Sequence, residues 1–303
     1  MAKKEGRNRI HVYKATDGQL AARQGELDWV GRLRQALDEG RFCLYAQEMI
    51  GVSGARKGER HQELLLRMID SEQQVVDPIV FIPVAERYNL MPAMDRLVIS
   101  TAFAEFARMV GKETPQETHR WSINLSGASL SQDDFLGFVR KQFEFYGIRH
   151  TAICFEITET AAIANLAKAT HLIHELKALG CGFSLDDFGS GMSSFAYLKH
   201  LPVDHLKIDG AFVRDIAQDP IDRAMVEAIN KVGHVMGLTT IAECVETPET
   251  LAILEQIGVD YAQGFAIARP HPYITPRLLA AELEAVRGDR SAGAPAGVLN
   301  GAK

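Results

Sequence analysis

Five acidic side chains, one asparagine and one lysine stand at the ends of separate apolar runs in this chain. They are Glu63, Asn124, Glu156, the adjacent Asp186 and Asp187, Lys207 and Glu243. Arg67, Glu159, Asp209, Glu246 and Gln263 lie in the same runs or just past them. Taken singly, each has an ordinary explanation: Asn124 caps a helix, Glu159 starts one, Asp187 caps a turn. Gathered on one rim, they would do chemistry. Five carboxylates in one place repel, and some stay protonated unless cations join them. Two divalent ions would offset four of the five charges. A donor set of oxygens, with no His or Cys, suits Mg2+, Mn2+ or Ca2+ rather than zinc. An aspartate shared by two ions, with its neighbour on one of them, holds such a pair.

The elements must bring these groups together. Adjacent strand residues point to opposite faces. Both aspartates of "FSLDDFGSGMSSF" (183–195) therefore serve one site only if the strand ends there and the chain turns; Gly189 and Gly191 permit the turn. Strand-like runs occur at 42–50, 63–69, 120–126, 152–158, 182–188, 205–209, 239–244 and 261–267. Helical periods lie between most of them, at 92–110, 132–146, 160–179, 221–236 and 248–257, and another spans 26–40 with Gly40 as its stop. Eight strands alternating with helices over roughly 250 residues is the rhythm of an α/β fold of the (β/α)8 TIM-barrel type, which builds its sites at the C-terminal ends of the strands. A doubly wound open sheet would want a G-x-G-x-x-G first turn, and none is present.

The chain has 303 residues, 47% of them apolar, enough for one large core. Its net charge of −6 without a basic block argues against a DNA or RNA polymer as partner. Cys43, Cys154, Cys181 and Cys244 form no C-x-x-C pair and read as buried thiols of a reducing cytoplasm. His171 and His174 share a helix face without a third ligand, so an ordinary helix face is preferred to zinc. No apolar run is long enough to span a bilayer, and no signal-peptide core follows "MAKKEGRNR". The expected location is cytoplasmic, with tethering through missing upstream segments left open. The tail at 288–303, small and Gly/Ala-rich, is expected to be disordered.

The segments "ELLLR" (63–67), "NLS" (124–126), "EITET" (156–160), "DDFGSG" (186–191), "KID" (207–209), "ECVE" (243–246) and "QGF" (263–265) resemble, in order, the motif series of the EAL domain. That family comprises bacterial phosphodiesterases acting on cyclic di-GMP (c-di-GMP), and the resemblance runs from about residue 27 to about residue 285. Two departures are Leu64 in place of the Ala of Glu-Ala-Leu, and "QEM" (47–49) where Gln-Pro-Ile is common. The resemblance implies a barrel with an atypical antiparallel first strand and two Mg2+ or Mn2+ ions. Glu63, Asn124, Glu156 and Asp186 would bind one ion, and Asp186, Asp187 and Glu243 the other. It also implies Lys207 beside the attacking water, Glu243 in the catalytic set, and Glu159 anchoring loop 188–195. Gln47, Leu64, Arg67, Asp209, Glu246 and Gln263 would line the substrate or brace the site. Ca2+, larger and looser in geometry, would bind the same oxygens and inhibit.

The implied reaction opens one phosphodiester bond of c-di-GMP to give linear pGpG. The alternatives are an inactive EAL domain that binds c-di-GMP as a receptor, and a phosphodiesterase for another nucleotide. "AKKEGRNRIHVY" (2–13) resembles the closing segment of a GGDEF domain. Residues 1–25 are thus expected to be the remnant of such a domain plus linker, 26–287 the barrel and 288–303 the tail. Upstream GGDEF or sensory domains, and a second copy of the chain in a homodimer, are the expected protein partners.

Overall fold

The structure is a computed structural model that describes residues 18–110, 120–189 and 195–274. The resemblance at 2–13 and the tail at 288–303 lie outside the described residues. Ten strands form one sheet: β1 (Phe42–Gly51), β2 (Arg60–Ile69), β3 (Val75–Val76), β4 (Trp121–Leu125), β5 (Ile153–Thr158), β6 (Gly182–Phe188), β7 (His205–Ile208), β8 (Thr239–Ala242), β9 (Tyr261–Gln263) and β10 (His271–Ile274). Eight of them close a ring in the order β1-β2-β4-β5-β6-β7-β8-β9, because β1 pairs with both β2 and β9. The steps from β2 to β9 are parallel, while β1 runs antiparallel to both its neighbours. The fold is therefore a (β/α)8 barrel with an antiparallel first strand. β3 and β10 are short additions to β2 and β1.

Period-two alternation decides what faces inward. Leu64, Ile123, Phe155, Phe183, Leu185, Leu206 and Ile208 point outward into the main apolar core, which the surrounding helices cover. The residues between them form the barrel interior.

The helices are α1 (Gly18–Asp38), α2 (Pro78–Arg87), α3 (Met91–Val110), α4 (Gly127–Leu130), α5 (Phe135–Tyr146), α6 (Glu159–Ala164), α7 (Leu166–Leu179), α8 (Phe195–Leu198), α9 (Gly210–Val213), α10 (Pro220–Val235) and α11 (Pro248–Ile257). Their starts carry side-chain caps: Asp77, Thr158, Asn165, Asp209, Asp219 and Thr247 each accept a bond from a backbone N–H of the first turn.

Several features differ from the sequence reading. α1 begins at Gly18, well before the expected residue 26. α2 was not among the expected helices; the Asp77 cap and Pro78 at the first helical position start it, with Pro83 inside. The stretch 160–179 splits at Asn165, whose side chain accepts from Lys168 N at 3.3 Å and restarts the helix as α7. Leu33, Phe42, Met68, Phe81 and Met94 form a second apolar cluster where α1 and α2 meet the sheet.

Candidate active site

Lys207, on β7, lies at the centre of the interior with 1% of its side chain exposed. Its Nζ is 2.7 Å from Glu156 Oε2, 2.7 Å from Glu243 Oε1, 3.0 Å from Asp186 Oδ1 and 3.4 Å from Glu63 Oε2. Burial alone would lower the lysine's pKa, but Asp186, Glu156, Glu243 and Glu63 together hold it well above the usual range. The carboxylates beside it are raised as well, toward their neutral form. Burial pushes Glu156 up to about 8, Glu63 and Asp186 add to this, and Lys207 opposes it. Burial likewise raises Glu243 well above the usual carboxylate range, with Asp186 and Glu63 contributing and Lys207 opposing.

Strand register lines up the rest. Glu63 faces Gln47 across β1 and β2, and Asn124 lies beside Glu156 across β4 and β5. Asn124 Nδ2 donates to Glu63 Oε1 at 2.5 Å, and Gln263 Nε2 donates to Glu63 Oε2 at 2.7 Å. The Gln263 amide also reaches Gln47 Oε1 at 3.2 Å, and Gln47 Nε2 donates to Ala268 O at 3.0 Å. Glu63 is thus oriented by two amides and a lysine.

The adjacent aspartates reach one site by a route other than the expected one. β6 does not end at them but continues to Phe188. Asp187 itself takes the left-handed conformation, φ 55°, and the register against β7 slips between Leu185 and Phe188. This irregularity re-aims the side chain as a bulge does. Gly189 follows at φ 105°, where a Cβ would fall 2.5 Å from the Phe212 ring. Gly191 lies outside the described residues. Oxygens of Asp186, Asp187 and Glu243 come within 4.8 Å of one another. The Asp187 carboxyl is pushed up to about 6, by lost hydration first and then by Asp186 and Asp209.

Glu159, the first residue of α6, is 2% exposed. It accepts from Gly189 N at 3.1 Å and from the Tyr197 hydroxyl. It therefore holds the chain on both sides of residues 190–194. Ser190 and Ser193 lie outside the described residues.

A cavity of about 390 Å³ opens beside the acidic cluster, lined by Gln47, Glu63, Leu65, Arg214, Glu243, Cys244, Glu246, Gln263, Gly264 and Phe265. Of the residues expected to touch substrate, Gln47, Glu246 and Gln263 line it. Leu64 does not, which corrects the sequence reading: it points outward into the core, 2% exposed, and Leu65 faces the cavity in its place. Arg67 turns to Leu66 O at 2.8 Å and lies over the Tyr45 ring at 5.4 Å. Asp209 accepts from Ala211 N at 2.7 Å and caps α9. Tyr197, Arg214, Cys244 and Phe265 were not read as site residues: Cys244 and Phe265 lie within the "ECVE" and "QGF" segments, Tyr197 and Arg214 a few residues past "DDFGSG" and "KID", and no periodicity marks them. A larger groove, about 640 Å³, lies between α10 and α11 and shares no residue with the acidic cluster.

The donor set fits divalent ions. It consists of carboxylate and amide oxygens, and Glu156 Oε1 is buried without a hydrogen-bond partner. Carboxylates held protonated by burial and mutual repulsion are also groups from which a metal displaces protons.

Fold and rim define a (β/α)8-barrel protein with an acidic centre at the C-terminal ends of its strands. The EAL domain description matches residues 30–270, and the chain belongs to the EAL domain family. It is 41% identical over 271 residues to cyclic di-GMP phosphodiesterase PdeB of Shewanella oneidensis, covering 89% of this chain and 31% of PdeB. The chain spans about a third of the length of the curated relatives it matches. The PaMucR phosphodiesterase in its c-di-GMP complex superposes with a TM-score of 0.74 at 29% identity, covering 81% of this chain and 98% of that one. The FimX EAL domain from Pseudomonas aeruginosa, bound to c-di-GMP, gives a TM-score of 0.73 at 29% identity, covering 80% and 96%.

Proposed function

We propose that this chain is a metal-dependent phosphodiesterase that hydrolyses c-di-GMP to linear pGpG. The observation that carries the reading is the oxygen donor set closed around Lys207, with Asp186, Asp187 and Glu243 within 4.8 Å of one another. The relation to PdeB and PaMucR, named as phosphodiesterases, supports the substrate. Glu63, Asn124, Glu156 and Asp186 would hold one Mg2+ or Mn2+, and Asp186, Asp187 and Glu243 a second. Bound there, the ions supply Lewis-acid charge to the phosphate and acidify the attacking water. Lys207 keeps a fixed positive charge where negative charge grows on the phosphoryl oxygens. Gln263 and Asn124 hold Glu63 in place, and Glu159 fixes the start of the chain after Asp187. Glu246 and Gln263 meet the substrate on the cavity wall. Ca2+ would bind and inhibit.

The second reading, a c-di-GMP receptor without turnover, is favoured by the likeness to the FimX EAL domain bound to c-di-GMP. Incubation with a panel of cyclic dinucleotides in Mg2+, with products separated by chromatography, tests both. Formation of pGpG supports the hydrolase. Binding without turnover supports the receptor, and turnover of another nucleotide alone would replace the substrate.

Residues 1–25 are read as the end of a GGDEF domain plus linker, 26–287 as the barrel and 288–303 as a tail, with GGDEF or sensory domains upstream. Among the described residues no helix is long and apolar enough to cross a membrane. A second copy of the chain is the expected partner, and we place its contact on α10. Ile221, Met225, Ala228, Val232 and Val235 fall on one stripe at alternating spacings of four and three, with Ile221 70% and Val235 81% exposed. In an antiparallel pair the acidic start of one helix, Asp219 and Asp222, would meet Lys231 and His234 of the other. Light scattering of wild type and Ile221→Asp checks this; a wild type that stays monomeric at high concentration contradicts it.

A further inference from the structure

Arg214 follows α9 and lies on the cavity wall. It is the single cation among the described residues that line the cavity, where it joins Glu63, Glu243 and Glu246. Its guanidinium Nη2 rests 3.5 Å from Cys244 Sγ, a weak acceptor. Several exposed arginines here find carboxylates instead, as Arg60 does on Glu48 and Arg223 on Glu227. The packing that sets this position is tight: a Cβ at Gly210 would fall 2.4 Å from Cys244 Sγ and 3.9 Å from Arg214 Nη2. On the same wall, Gln263 Oε1 is buried and accepts no hydrogen bond. Lys207 cannot serve the outer part of a ligand, being buried and held by four carboxylates.

We propose that Arg214 binds the phosphodiester of c-di-GMP that is not cleaved; this rests on the hydrolase reading above. A cyclic dinucleotide carries two phosphodiesters. The acidic cluster with its ions engages one. The other enters a cavity with three carboxylates on its wall and is repelled unless a cation meets it there. A guanidinium matches two phosphate oxygens at once, and leaving a sulfur for them costs little. Arg214 thereby acts on affinity and ring orientation, not on the bond that breaks.

The test is steady-state hydrolysis of c-di-GMP in Mg2+ by wild type, Arg214→Lys and Arg214→Gln, with melting temperatures for all three. Arg214→Gln is expected to raise KM by about tenfold or more, the scale of a lost charged hydrogen bond, and to leave kcat within about threefold and the melting temperature unchanged. Arg214→Lys recovers part of KM, and the wild-type KM rises more steeply with NaCl than that of Arg214→Gln. A KM within about twofold of wild type for Arg214→Gln, or a loss in kcat alone, overturns the proposal. So does a KM increase accompanied by a fall in melting temperature that Lys does not repair. A wild type that never hydrolyses c-di-GMP overturns the hydrolase reading instead; if it still binds, equilibrium dialysis with the same variants decides the role of Arg214.

Discussion

Asp187 and Cys244 share a left-handed backbone, φ 55° and 53°, and each directly follows a carboxylate that touches Lys207. Left-handed geometry is unfavourable for residues with a Cβ and persists where the surroundings enforce it. At Cys244 the enforcing contacts are visible. Glu243 N donates to Ile208 O at 3.2 Å, Val245 N donates to Gln263 O at 3.0 Å, and Gly264 brings its backbone so close that a Cβ would fall 2.2 Å from Val245 N. The twist lets the chain place Glu243 against Lys207 and Glu246 on the cavity wall. Cys244→Val is therefore expected to lose about 1–2 kcal/mol of stability relative to Cys244→Gly, since a β-branched residue tolerates this conformation least. Equal melting temperatures and equal turnover for the two variants would show that the twist is not needed.

Lys207→Met separates chemistry from scaffolding. The lysine's four ion-pair partners are all acids of the cluster. The expected result is a kcat lower by about a hundredfold or more, the scale of losing one electrostatic donor, with little change in KM. In chelator the variant should also melt lower, because buried carboxylates lose their counter-charge, and Mg2+ should restore part of the loss. A normal kcat would remove Lys207 from the reaction.

Glu159 ties Gly189 to Tyr197. Groups that hold a metal-binding loop from behind typically matter by about 10–100-fold. Glu159→Ala is expected to raise the Mg2+ needed for half-activity within that range, and Tyr197→Phe to shift it in the same direction by less. A Mg2+ titration reads both. An unchanged midpoint in Glu159→Ala would mean that the segment after Asp187 is held by other contacts.

The acidic cluster gives the metal-free chain a signed pH dependence. Burial first, then neighbouring acids, raises Glu156 to about 8 and Asp187 to about 6. A carboxyl whose pKa is higher when folded favours the folded state while it stays protonated. That contribution is present in full below the unfolded value and is lost as pH rises through the folded one. In chelator the melting temperature should therefore fall between about pH 6.5 and pH 8, above the range in which His61 and His205, lowered to about 4 by burial, pull the other way. The stabilisation by added Mg2+ should grow over the same interval, because the ion needs the deprotonated oxygens. A flat chelated profile would contradict the raised values.

The strand ends were readable because inward polar residues interrupt apolar runs: Asn124 in "SINLS", Glu156 in "CFEIT" and Lys207 in "HLKID" each sit where alternation demands an interior group. The antiparallel direction of β1 was legible only through family resemblance, since "FCLYAQEMI" looks the same in either direction. Other features follow from tertiary context that a local window does not contain. The turn was assigned to glycines after Asp187, yet the left-handed residue is Asp187 itself, held by pairing of β6 with β7. Leu64 was placed at the substrate because its motif is, while pleat alternation beside the inward Glu63 sends it outward. β10 was hidden because "HPYI" is short and carries a proline, and only pairing with the adjacent β1 makes it a strand. Tyr197 and Arg214 became visible only once the segments around them were folded back onto Glu159 and Cys244.

The most direct measurement is a time course of c-di-GMP with the chain in Mg2+, followed by excess EDTA and then by restored Mg2+ or Mn2+. The expected record is pGpG formation that stops with chelator and resumes with metal. Asp186→Asn should be more damaged than Asp187→Asn, since Asp186 is read as bridging both ions. Undiminished hydrolysis in excess EDTA, or no pGpG at any metal concentration, would contradict the assignment of this acidic cluster as a two-metal phosphodiesterase centre.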